Sequence, residues 1–134
     1  MKKILLLLAM GLYTAPITLN AQEPTKMEEV MALHDEVMEK MPQTAKLIGK
    51  LQTKNQAGPQ SNYTDAIESL RAANKSMVDW MQGFGQRFTA DEMMKGKKLS
   101  ELKQKWLLEE EVKVHALREE IYGSIANAEA VLEQ

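Results

Sequence analysis

The chain of 134 residues contains no cysteine. That absence excludes a disulfide scaffold, a thiol nucleophile and a four-thiolate zinc site. Aromatic residues make up only 5%, too few for a large β sandwich. Neither charge dominates, with 17 basic against 19 acidic side chains. Lacking a dense basic run as well, the chain is a poor nucleic-acid binder. Beyond the first residues, no apolar run approaches the roughly 18 needed to cross a membrane. The length supports one domain with a modest core.

What is present begins with an export signature. Lys2 and Lys3 form a positive start, Ile4 to Leu12 an apolar run, and Pro16 breaks it before Ala21. This is the layout of a signal peptide over residues 1–21, cleaved between Ala21 and Gln22. The mature chain, 22–134, then has 15 basic and 19 acidic side chains, a formal charge of −4. The expected location is periplasmic or secreted, with no transmembrane segment in the mature chain. A lipid anchor would need a cysteine at the cleavage point.

The remainder predicts a single all-α domain: an antiparallel helical hairpin plus a long third helix, a three-helix, coiled-coil-like bundle. The first helix, about 25–54, opens at Thr25 with Glu28 three residues on, a capping-box spacing. Its seam is Met27, Met31, His34, Met38, Met41, Ala45 and Ile48, widened by Val30, Leu33, Val37, Leu47 and Leu51. Pro42 predicts a kink near Met38. A loop follows from Asn55, and Ser61 or Asn62 caps a second helix over about 62–83. The second seam runs Tyr63, Ile67, Leu70, Asn74, Met77, Met81 and Phe84, and Gly83 and Gly85 end it. A short capped turn from Thr89 to Met94 stops at Gly96. The third helix, about 98–132, makes its first contacts through Leu99, Leu102 and Trp106. It exceeds roughly 45 Å at 1.5 Å per residue, so part of it is expected to protrude, fray or pack on another chain.

No phosphate loop, nucleophile elbow or H-E-x-x-H pair supports an enzyme, and no catalytic residue is assigned. The acidic pairs read as solvated faces, with Glu36–Lys40 and Glu109–Lys113 at ion-pair spacing. The unusual feature is the eight methionines at 27, 31, 38, 41, 77, 81, 93 and 94. Folding a hairpin about residue 58 brings Met77, Trp80 and Met81 level with His34 and Met38. Thioethers and imidazole suit Cu(I), so His34, Met38, Met41, Met77 and Met81 form a candidate metal set, with Trp80 as a lid. The simpler reading is a methionine-filled core with no cofactor, and His115 is expected at a boundary. Phe84, Arg87 and Phe88, in G-F-G-Q-R-F, either plug the open end of the bundle or form an exposed interaction tip. Lys95, Lys97 and Lys98 after Met93 and Met94 add a small cationic rim.

Three segments carry a family resemblance. His34-Asp35-Glu36-Val37-Met38 with Lys40-Met41 reads H-D-E-V-M-x-K-M, Met77 to Met81 reads M-x-x-W-M, and Ser124 to Ala128 lies on an acidic-basic third helix. Over nearly all of its mature length the chain resembles short exported bacterial helical proteins commonly labelled "viral A-type inclusion protein". The resemblance implies an exported three-helix protein of uncharacterised function, with no established catalytic residues. Many such proteins look like lipoproteins, which this cysteine-free chain does not. The resulting expectation is a non-enzymatic helical protein acting by protein–protein or structural contact, through a partner or self-association along helix faces. The alternative is a periplasmic Cu(I)-binding or copper-buffering protein.

Overall fold

A computed structural model of the protein describes residues 24–134. The signal-peptide reading over 1–21 and its cleavage point lie outside the described residues. Five helices follow in order: α1 Lys26–Met38, α2 Met41–Ala57, α3 Ser61–Arg87, α4 Ala90–Met94 and α5 Glu101–Leu132. Among the described residues there is no strand, so the all-α bundle stands. No helix there is long and apolar enough to cross a membrane.

Local chemistry sets the helix ends. Thr25 accepts the Glu28 N–H while the Glu28 carboxylate accepts the Thr25 N–H, a complete capping box. Thr89 and Glu92 repeat the device for α4, and Ser100 caps α5 by accepting the Lys103 N–H. The kink at Pro42 is present: α1 ends at Met38, and α2 restarts at Met41 with Pro42 in its first turn. Proline is tolerated there because first-turn N–H groups have no helical partner. Gly96, at φ 64°, turns the chain after α4 in the left-handed region that glycine adopts without strain.

The three long rods share one packing rule. Val30, Val37, Thr44 and Leu51 are all fully buried at seven-residue spacing along α1 and α2. On α3 the buried line is Tyr63, Ala66, Leu70, Ala73, Met77, Trp80 and Phe84; on α5 it starts Leu107, Glu110, Val114, Leu117 and Ile121. Alternating steps of three and four are a heptad repeat, and they keep one seam facing the bundle axis.

Several expectations are corrected by this arrangement. The buried face of the first rod lies one position from the methionine line, so Met38 is 44% exposed and Ala45 is exposed. Neither Ser61 nor Asn62 caps α3; the extended residue is Gln60, whose N–H donates to Asn55 Oδ1. Gly83 and Gly85 do not end α3, which runs on to Arg87. Burying Phe84 and Phe88 on the same helix face outweighs the roughly 1 kcal/mol helical penalty of each glycine. The third helix begins at Glu101 behind its cap Ser100, at the end of the expected Lys98–Ser100 start, but Leu102 is 56% exposed instead of making a first contact. Nor does α5 protrude. Its 32 residues pack on α3 along one side and on α1 and α2, end to end, along the other. The kinked first rod supplies the length that α3 alone lacks.

Candidate functional site

Four rings follow one another in contact from α1 along α3. His34 of α1 lies on Trp80 of α3 with centroids 5.8 Å apart and planes 28° from parallel. Trp80 meets Phe84 at 4.8 Å, and Phe84 meets Phe88 at 4.7 Å. Trp80, Phe84 and Phe88 are four residues apart, so a helix aligns them on one face. Phe84 and Phe88 are buried, at 0% and 2% exposure. They plug the bundle; the exposed tip of Phe84, Arg87 and Phe88 does not exist. Arg87 is held against the bundle instead, 2.7 Å from Glu109, 3.0 Å from Glu110 and over the Trp106 ring.

The methionine set is divided by this geometry. His34 and Trp80 come together as expected. Met77 is buried in the core, Met41 and Met81 are half-buried against it, and Met38 faces outward. The His34 side chain is 12% exposed, and its Nδ1 lies 2.9 Å from Asp35 Oδ1. With a proton on Nδ1 donated to that carboxylate, Nε2 keeps its lone pair. The Trp80 Nε1–H is buried and has no hydrogen-bond partner among the described residues. His115 is exposed on α5. Among the described residues no group of three or more His, Asp or Glu side chains could hold a metal ion.

Two polar features escaped the sequence reading. Glu110 is 2% exposed, not part of a solvated acidic face. Its carboxylate meets Arg87 at 3.0 Å and Lys113 at 2.9 Å. The expected Glu109–Lys113 pair is thereby replaced, because the buried carboxylate takes Lys113 and Glu109 takes Arg87. The second feature is Thr44, fully buried and within hydrogen-bond distance of the Met41 carbonyl and the Asn74 amide, at 2.8 and 2.9 Å. One hydroxyl proton serves one acceptor. It goes to the Met41 carbonyl or to Asn74 Oδ1. The spacing signal for both residues was visible: Glu110 is seven before Leu117, and Thr44 seven after Val37.

Glu36 likewise takes partners from another helix in place of Lys40. The Tyr122 hydroxyl donates to it at 2.8 Å and the Arg118 guanidinium at 2.9 Å. The tyrosine hydrogen bond, with the arginine behind it, holds Glu36 below the usual carboxylate range, and the same bond raises Tyr122. The Lys40 ammonium sits over the Tyr122 ring, 5.4 Å from its centroid. These contacts cross-brace α1 and α5.

The outer side of α5 completes the inventory. Leu108 and Val112 are 55% and 70% exposed on the side opposite the Leu107–Val114 seam, and Leu102 is 56% exposed at its flank. Comparisons with protein-family models, with curated proteins and with solved structures found no match to this chain.

Proposed function

We propose that this is an exported, non-enzymatic helical protein that works by contact, self-associating through the outer face of α5. The observation that carries this reading is the exposed pair Leu108 and Val112, four residues apart on a helix whose inner face is already filled. Exposed leucines and valines are common singly. Here Leu108 and Val112 stand one turn apart on one helix face, flanked by Lys105, Glu109 and His115, which are also exposed. An apolar strip with a charged border is how one helix seats against another. Sedimentation equilibrium over a dilution series is the test. The expected result is a mass above the 15.2 kDa of one full-length chain, falling as the protein is diluted. A single chain at every concentration contradicts the reading.

One observation favours copper as a second reading. The Asp35 contact at Nδ1 leaves His34 Nε2 as a ligand atom, and Met38 lies one helical turn further along α1. An anaerobic Cu(I) titration against a competing chelator, followed by tryptophan fluorescence, tests it. Met38→Leu keeps the volume and removes the thioether. Under this reading the competition-resistant quench is lost in that variant.

A further inference from the structure

A cleft of about 430 Å³ lies where the start of α1, the connector after α4 and the first turns of α5 meet. Its walls include Met27, Leu99, Leu107 and Leu108, and Lys97 and Lys98 also line it. Other charges around it are already matched. Lys26 is held by Glu29 and Glu111, at 2.7 and 2.8 Å, and its pKa is raised to about 12 by those two carboxylates. Glu92 also lines the cleft, but its carboxylate is bonded to the Lys103 ammonium at 2.6 Å and to the Thr89 N–H at 2.8 Å. Lys95 pairs with Asp91. Lys97 and Lys98 make no ion pair among the described residues. The left-handed turn at Gly96 and the Lys97 N–H bond to the Asp91 carbonyl fix where both lysines leave the chain.

We infer that this cleft binds the free carboxylate of a single medium-length alkyl chain, a fatty acid. The tail lies along Met27, Leu99, Leu107 and Leu108, and the carboxylate meets Lys97 and Lys98. Apolar walls with a few converging charges are the usual make-up of a small-ligand site. Lysine stems add apolar wall while their ammonium groups stay at the water-facing edge. The volume is near the lower end of the roughly 300–1,000 Å³ range of such sites, which suits one chain and not a diacyl lipid. Two uncompensated cations select an anion over a neutral or cationic head of equal tail length.

The test is calorimetric titration of the protein, expressed from its complete sequence, with sodium decanoate. Decyltrimethylammonium bromide, sodium acetate and vesicles of anionic phospholipid are titrated in parallel. The expected result is saturable binding of one decanoate per chain, at least tenfold tighter than either the cationic amphiphile or acetate. Lys97→Gln/Lys98→Gln should weaken it at least tenfold with no change in melting temperature, because both side chains are exposed. Equal affinity for the cationic amphiphile overturns the inference, as does binding indifferent to the two lysines. Binding to anionic vesicles without binding to decanoate overturns it as well. Leu108 borders both the cleft and the outer face of α5, so the Lys97→Gln/Lys98→Gln variant, which leaves Leu108 in place, separates loss of the ligand from loss of self-association.

Discussion

Replacing Thr44 by valine removes one hydroxyl from the place where the kinked first rod is pinned to α3. Valine matches threonine in shape, so packing changes little, and the loss falls on Asn74. The Asn74 Oδ1 loses its partner at 2.9 Å, whereas the Met41 carbonyl keeps the helical N–H of Ala45. Thr44 is fully buried, so water does not take the place of its hydroxyl. Stranding a buried polar group costs about 1–3 kcal/mol. At roughly 4 °C per kcal/mol for a domain of this size, the melting temperature falls by about 4–12 °C. Thermal unfolding followed by far-ultraviolet circular dichroism measures it. The companion is Asn74→Leu, alone and combined with Thr44→Val. If the two groups are partners, the double variant is less destabilised than the sum of the singles, by about 1 kcal/mol. A Thr44→Val protein as stable as the parent, together with strict additivity, would refute the reasoning.

Glu110→Ala leaves Lys113 without its partner, leaves Arg87 with Glu109 alone, and opens space on the α5 seam. Both cations are partly exposed, at 30% and 52%, so the expected loss is about 1–2 kcal/mol, below the 3–5 of a fully buried pair. Glu110→Met, which fills the space, should be closer to neutral in a urea titration. Glu28, Glu36 and Glu92 all have carboxyls lowered from an ordinary 4.5, by the Thr25 N–H, the Tyr122 hydroxyl and the Lys103 ammonium respectively. A lowered folded-state value means the unfolded chain binds protons first. Their stabilisation is therefore complete above about pH 4.5 and disappears as the pH falls through the depressed values. Melting temperatures measured from pH 7 down to pH 3 should show that fall, and Glu92→Gln should flatten it. Gly85→Ala should stabilise α3 by about 0.5–1 kcal/mol in chemical denaturation, because an added Cβ there meets nothing within 4 Å.

The helical class, the kink at Pro42, both threonine-led capping boxes and the stop at Gly96 were legible because each depends on local chemistry. The face of the first rod was not. Met31 and Met38 repeat every seven residues as faithfully as Val30 and Val37, one position away, and both lines are apolar. The residue that separates them is Thr44, whose polarity disguises a seam position that Ala45 does not occupy. Glu110 was hidden for the same reason: a charged residue reads as surface until its partners Arg87 and Lys113 are placed by the fold. Gly83 and Gly85 carried a true local signal that burial of Phe84 and Phe88 overrode. The full cover of α5 could be read only by joining α1 to α2 across the kink. Of the candidate metal set, the placing of Trp80 level with His34 was foreseen from hairpin register, while the outward turn of Met38 follows from the seam that Thr44 defines.

Contact through the outer face of α5 is tested most directly by comparing Val112→Asp with Val78→Asp in sedimentation equilibrium. Both valines are exposed, at 70% and 62%, so either charge should leave the helical circular dichroism unchanged. Val112 stands one turn from Leu108 on the outer face of α5, whereas Val78 lies on α3. The account predicts that the parent and Val78→Asp proteins share one association constant and that Val112→Asp sediments as a single chain. Equal association in all three proteins, or a parent that is a single chain throughout, would contradict it.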